Sequence, residues 1–235
     1  MIEKTLRTSK GNELKVKANT VGSIAHFNDP ENHVDTILKQ INEERMYDPI
    51  FAGRTDMTVL DLGANVGLFS LYAADSCKRI VAVEAVPTTY MIMNELTAEQ
   101  PVIEAQQYAI SNANKDVSFF LNENSTTNSL VNRRGEEITV PGITLESLLT
   151  TCNLDQVDFV KCDIEGSEMI SLTEATLAPV ADKINFWFVE VHQTNSDEQP
   201  WPGNLGNNRE VLGAMLKNFG YTVEPVIHDQ LYAYK

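Results

Sequence analysis

The stretch Thr58-Val-Leu-Asp-Leu-Gly-Ala-Asn-Val-Gly-Leu-Phe-Ser70 decides the fold of this chain. Val59, Leu60 and Leu62 make a short apolar run bounded by Gly63, which predicts a buried strand. Val66, Leu68, Phe69, Leu71 and Tyr72 then suit the start of a helix. Gly63 and Gly67 allow a tight turn and a close ligand, and the helix that follows points its free N–H groups back at that ligand. Strand, glycine turn and helix together describe a nucleotide-type cradle at the carboxyl end of a first strand.

Spacing narrows the ligand. A dinucleotide site wants Gly-x-Gly-x-x-Gly, but Asn65 stands at the middle glycine and an acidic Asp61 precedes the turn. A carboxylate there repels a diphosphate, yet attracts a cationic amino group or accepts hydrogen bonds. S-adenosylmethionine carries such groups and no phosphate. A second short apolar strand, Arg79-Ile-Val-Ala-Val-Glu84, ends in an acid placed where a doubly wound fold grips a ribose diol. Glu84 alone does not separate S-adenosylmethionine from NAD, nor from a plain solvated carboxylate.

Composition bounds the rest. With 235 residues and 43% hydrophobic content, the chain suits a single α/β domain over 1–235, with 1–57 as a leading strand and helix extension covering the cleft. The net charge of −15 is spread along the sequence, which disfavours nucleic-acid backbones and anionic membranes by repulsion. A small-molecule or carbohydrate partner fits better; the oligomeric state is not legible. Cys77, Cys152 and Cys162 form no Cys-x-x-Cys pair, so they read as reduced core thiols and not as a disulfide framework or thiolate zinc site. A polar Met1–Lys10 and the lack of a long apolar segment point to a cytoplasmic protein.

In order, Met1 to Val21 reads as two short strands about Ser9-Lys10-Gly11-Asn12. Asp29-Pro30-Glu31 reads as a helix start, with Val34, Ile37, Leu38 and Ile41 at helical spacing and an end near Tyr47. His26 and His33 read as solvated and receive no role. Pro87 opens a further helix in which Met91 and Met93 read as core filler, and Val102 to Ile110 reads as a third strand. At its end, Ala109 and Ile110 stand where an adenine edge meets backbone. Lys115 to Leu121 is an added strand, with Val117, Phe119 and Leu121 on one face, before a polar loop over 122–129.

Two later stretches carry chemistry. Val157-Asp-Phe-Val-Lys-Cys-Asp-Ile-Glu-Gly-Ser-Glu168 is an apolar strand ending at Asp163, turning helical after Gly166 and closed by Pro179. Asn185-Phe-Trp-Phe-Val-Glu-Val-His192 is a fifth strand whose alternation puts Glu190 and His192 on one face. Asp163, Glu165, Glu190 and His192 thus converge, a set suited to accepting a hydroxyl proton or binding a divalent metal. A network that merely orders the loops uses the same residues. The loop 200–208 holds Trp201, a helix follows from Arg209 to Phe219, and Tyr221–Ile227 with Gln230–Tyr234 reads as a closing hairpin. The fold class is therefore α/β, a doubly wound, mostly parallel seven-stranded sheet with a terminal antiparallel hairpin.

On these residues the chain resembles the FkbM-type S-adenosylmethionine-dependent methyltransferases. The resemblance rests on 59–70, Val83-Glu-Ala-Val-Pro87, Ile143-Thr-Leu-Glu-Ser-Leu-Leu149, 158–168 and Val189-Glu-Val-His192. It implies methyl transfer to a hydroxyl oxygen of a small metabolite or sugar. By position, Asp61, Gly63, Asn65, Gly67 and Glu84 would hold S-adenosylmethionine, with Ala109 and Ile110 near its adenine and Asp163 and Glu165 bordering cofactor and acceptor. Where the family shows Glu-Pro after the second strand, this chain has Glu84-Ala-Val-Pro87.

The expected mechanism is in-line displacement at the sulfonium methyl, with His192 as base, Glu190 orienting it and Asp163 nearby. The competing version holds a divalent ion between Asp163 and Glu190. An NAD-dependent oxidoreductase, which would want glycine at Asn65, and a non-catalytic module on the same cofactor fold are the alternatives.

Overall fold

The computed structural model describes residues 1–29, 34–121, 128–131, 135–192, 207–225 and 230–235. Two compact units divide it, the first Met1–Gln107 and the second Tyr108–Glu123 with Thr127–Lys235.

The first unit opens with a hairpin, β1 (Ile2–Arg7) against β2 (Glu13–Ala18), antiparallel with Leu6 opposite Leu14. Its turn closes through Thr8 N–H to the Asn12 carbonyl at 2.8 Å. Helix α1 (Val21–Asn28) follows, which the sequence pattern did not announce. It buries only Ser23 and Phe27, and is fixed at its start by a Thr20–Ser23 capping box. Glu95 completes that start, accepting from Thr20 N–H, Thr20 Oγ1 and Ser23 Oγ.

Asp29 forms the carboxyl cap of α1. Pro30, Glu31 and His33 lie outside the described residues. Helix α2 (Val34–Lys39) widens into a π-helical turn over Gln40–Glu44 and stops at Arg45, whose φ is 53°. Helix α3 (Asp48–Phe51) takes Pro49 in its first turn.

The apolar run then gives β3 (Met57–Leu62), all six residues buried, and α4 (Leu68–Ala73), equally buried. Phe51 meets Tyr72 edge-on at 5.5 Å and Tyr47 meets Phe69 at 4.7 Å, which packs α3 on α4. Strand β4 (Cys77–Val83) pairs in parallel with β3, and after α5 (Pro87–Thr97) strand β5 (Ile103–Gln106) pairs in parallel with β4. In α5 Met93 is fully buried, but Met91 is 69% exposed and fills no core.

The expected third strand stops at Gln106. In the second unit β6 (Ala109–Ile110) pairs with β8 (Glu136–Ile143), which also pairs antiparallel with β7 (Asp116–Leu121) in a separate three-stranded sheet. On β7 Phe119 and Phe120 are both buried, so its faces do not simply alternate. Helix α6 (Leu145–Thr151), capped by Thr144, leads to β9 (Phe159–Cys162).

One helix was expected after Gly166. The chain instead makes two single turns, α7 (Glu168–Ser171) and α8 (Glu174–Leu177), because Thr173 caps the second. Strand β10 (Phe186–Glu190) lies between parallel β9 and antiparallel β12 (Gln230–Tyr234), reached through α9 (Asn208–Asn218) and β11 (Thr222–Pro225). β11 and β12 are the closing hairpin. Their expected join at His228-Asp229 lies outside the described residues, as do most of loop 122–129 and Trp201. Strands β3, β4, β5, β9, β10, β11 and β12 form one seven-stranded, mostly parallel sheet. Among the described residues no helix is long and apolar enough to cross a membrane. Cys152 and Cys162 are buried and Cys77 is half-buried.

Candidate active site

Backbone conformation builds the turn after β3. Gly63, Asn65 and Gly67 have φ of 79°, 51° and 83°, the left-handed region open to glycine and tolerated by asparagine. Gly63 and Ala64 N–H both donate to the Val83 carbonyl, at 3.0 and 2.9 Å, which ties the turn to the end of β4. Asn65 steadies its own strained conformation by accepting from Val66 N–H at 2.8 Å. Gly67 is required on the helix side, where a Cβ would stand 2.9 Å from Thr97 Cγ2 and 3.1 Å from Met93 Cγ. Here glycine makes room for α5.

The two acids of this turn are both engaged. Asp61 is fully buried, and Oδ2 accepts from Ser70 Oγ at 2.7 Å across the start of α4. Glu84 accepts from Asn65 N–H at 3.0 Å through Oε2 and from Val86 N–H at 2.8 Å through Oε1. Burial pushes its carboxyl up to about 7, against the lowering effect of those amide bonds and with a further push from Asp61. So Glu84 organises the turn, and each oxygen keeps further lone-pair capacity. The structure also brings His26 of α1 to this turn, where sequence left it solvated. Burial lowers its pKa, while Asp29 and the Asn65 side chain oppose that.

In the second unit the carboxyl ends of β9 and β10 gather a different group. Fully buried Glu168 accepts from Ile164 N–H, Gly166 N–H and His192 Nδ1 at 3.2, 3.3 and 3.0 Å, all at Oε1. His192 Nε2 then faces Glu165 Oε2 at 3.3 Å and Asp163 Oδ1 at 3.9 Å. Lys161 Nζ lies 3.3 Å from Asp163 Oδ2.

Glu168 is therefore the partner that orients His192, the role the sequence reading gave to Glu190. Among the described residues Glu190 takes a long contact from Gln230 Nε2, at 3.5 Å, and feels the charges of Asp163, His192 and Lys161. Position in the sequence hid this: Glu168 was visible as the last residue of its motif, but only the turn at Glu165 and Gly166, with φ of 54° and 89°, brings it back to His192.

Charge dominates this group. Burial, with Asp163 next, raises Glu165 well above its ordinary value. Burial and Asp163 likewise raise Glu190. His192 is raised well above its ordinary value because Glu168, Glu165 and Asp163 outweigh the lowering effect of burial. Asp163, Glu165 and His192 each offer one ligand atom, all within 4.8 Å of one another. Buried Cys162 beside them is pushed up by desolvation and by Glu168, which makes it an unreactive thiol. Ala109 and Ile110 are buried in β6, and the Ile110 carbonyl is taken by Ser171 Oγ at 2.8 Å.

A family model described as the methyltransferase FkbM domain matches residues 61–223, well over half of the chain. Among solved structures the chain is similar to a SAM-dependent methyltransferase from Aquifex aeolicus, at 13% identity and TM-score 0.49, over 92% of this chain and 98% of that one. It is similar to fibrillarin of Aeropyrum pernix, in complex with natively bound S-adenosyl-L-methionine, at 12% identity and TM-score 0.49, over 98% and 92%. A precorrin-6y C5,15-methyltransferase from Geobacter metallireducens GS-15 matches at 13% identity and TM-score 0.48, over 84% and 91%. These likenesses are distant and bear no weight on what the chain acts on. No curated protein matches the sequence.

Proposed function

This chain belongs to the FkbM family of S-adenosylmethionine-dependent methyltransferases, and from that premise we propose that it methylates a hydroxyl oxygen of a small molecule or sugar. Membership sets aside the nicotinamide oxidoreductase reading. We assign cofactor binding to the turn of Gly63, Asn65 and Gly67 with the carboxylates of Asp61 and Glu84. The free lone pairs of Glu84 suit a ribose diol, and its two amide partners hold it in place for that contact.

The observation that carries oxygen as the acceptor is the group around His192. A sulfonium methyl is already electrophilic, whereas a hydroxyl is a poor nucleophile until its proton leaves. Four carboxylates, Asp163, Glu165, Glu168 and Glu190, surround two cations, Lys161 and His192. With all of them ionised the group holds two negative charges in excess, and burial with Asp163 raises Glu165 and Glu190 above their ordinary values.

In this reading a carboxylate of the group, Asp163 or Glu190, accepts the hydroxyl proton beside His192, which holds the acceptor in place, while the O–C bond forms and the S–C bond breaks. S-adenosylhomocysteine leaves. The net charge of −15 favours a small acceptor over a nucleic acid. The test is an S-adenosylhomocysteine release assay against hydroxyl, amine, carbon and RNA acceptors, with His192→Ala alongside. Turnover confined to hydroxyl acceptors and lost in the variant supports the reading. Methylation of nitrogen, carbon or RNA at equal rate overturns it.

A further inference from the structure

We infer that Asp163, Glu165 and His192 form a divalent-cation site. Their ligand atoms, two carboxylate oxygens and an imidazole nitrogen, lie within 4.8 Å of one another, close enough for one ion to bridge all three. The histidine is prepared for this: Glu168 holds Nδ1 at 3.0 Å, so Nε2 is the nitrogen turned toward Asp163 and Glu165. A carboxylate behind a histidine that faces outward with its other nitrogen is the usual arrangement at a metal.

An independent observation points to a missing positive charge. Glu168 has no side-chain exposure, and its Oε2 has no hydrogen-bond partner among the described residues. A buried carboxylate oxygen left without a partner is costly, and a cation bound to the histidine it supports offsets that cost electrostatically. Lys161 does not serve instead, since it is already placed on Asp163 Oδ2, which leaves Asp163 Oδ1 for the ion.

Two hard oxygens with one imidazole suit Mn²⁺ or Mg²⁺, and three protein ligands leave positions open for an acceptor oxygen. An ion there lowers the pKa of a bound hydroxyl. With Nε2 coordinated, the hydroxyl proton passes to Glu190, the carboxylate of the group that neither ligates the ion nor holds the histidine. Cation binding itself does not depend on the methyl-transfer reading; only this catalytic use does.

The experiment is a Mn²⁺ titration of the chelator-treated, full-length protein, followed by electron paramagnetic resonance. S-adenosylmethionine binding is measured calorimetrically on the same sample. The expected result is one Mn²⁺ per chain. Asp163→Asn, Glu165→Gln and His192→Ala each lose it, Glu168→Gln weakens it about 10–100-fold, and Glu210→Gln on α9 leaves it unchanged.

Circular dichroism checks folding. Should His192→Ala fail to fold, Glu165→Gln, at a side chain 27% exposed, decides. No stoichiometric Mn²⁺ in the wild type, or binding that survives Glu165→Gln, overturns the site. Mn²⁺ bound without S-adenosylmethionine overturns only the methyl-transfer reading, and the converse overturns only the cation.

Discussion

The turn after β3 and the group around His192 are built in opposite ways. In the turn, chain conformation supplies the shape, and both carboxylates have partners: Asp61 takes Ser70, and Glu84 takes two backbone amides. Around His192 side chains meet side chains, and four carboxylates share two cations. A site shaped by backbone conformation is suited to holding a ligand that does not change. A side-chain group whose carboxylates outnumber its cations draws a proton or a cation, which is what the proposed chemistry on a hydroxyl needs.

If that division of labour holds, variants should separate binding from turnover. The largest effect is expected from His192→Ala, a fall in kcat of about 10²–10⁴, the usual worth of a positioned acid–base group, with the S-adenosylmethionine Kd unchanged. Calorimetry on the same preparation checks the second half. Equal loss of cofactor binding and turnover would break the comparison.

Glu84→Gln should do the reverse, weakening S-adenosylmethionine about 10–100-fold. The pH dependence has a defined sign. Glu84 titrates near 7 in the folded protein against an ordinary 4.5, so it is protonated below about pH 7 and accepts a diol less well. Cofactor affinity of the wild type should therefore fall by up to about tenfold per pH unit below 7, and the variant should be flat.

Stability runs the other way. A raised carboxyl pKa contributes stability that is present below pH 4.5 and lost by about pH 7, a loss of about 3 kcal/mol at most. Denaturant melts at pH 8 should show Glu84→Gln no less stable than wild type, even though one amide loses its acceptor. A variant that binds worse and melts no earlier would mark Glu84 as held for its ligand.

The same contrast explains what could be read beforehand. Positive φ is written into sequence as glycine and asparagine, so the turn at 63–67 was legible, as was the apolar run that buries all of β3. The strands that end at Cys162 and Glu190 were legible from their short apolar runs. Contacts between distant residues were not. Helix α1 has almost no apolar face, and its start is set by Glu95, 75 residues away from Thr20. Glu168 reaches His192 across 24 residues because a left-handed pair folds the loop back. Strand β8 carries Pro141 and Gly142, residues that weaken a strand pattern; Gly142 is needed there because a Cβ would stand 2.7 Å from the Lys115 carbonyl.

Gly67→Ala tests the backbone half of the comparison. A left-handed φ costs an L-residue about 1–2 kcal/mol, and the new methyl meets Thr97 Cγ2 at 2.9 Å, so a loss of about 2–3 kcal/mol is expected in a thermal or denaturant melt. Adding Thr97→Ser, which removes the methyl, should recover the contact part and leave the strain.

Asn65→Gly should have the smallest effect, for reasons that cancel. Glycine removes the strain of φ 51° but gives up about 0.4–1 kcal/mol through greater freedom in the unfolded chain. It also loses the side-chain bond to Val66 N–H, worth about 1 kcal/mol. A net loss below about 1 kcal/mol follows. The backbone N–H that donates to Glu84 remains, so the S-adenosylmethionine Kd should move by no more than about threefold. Asn65→Val keeps the same N–H but not the conformation, because a β-branched side chain resists positive φ. If it binds the cofactor as well as Asn65→Gly does, the turn is not held by chain geometry, and the contrast with the side-chain group around His192 fails at its first term.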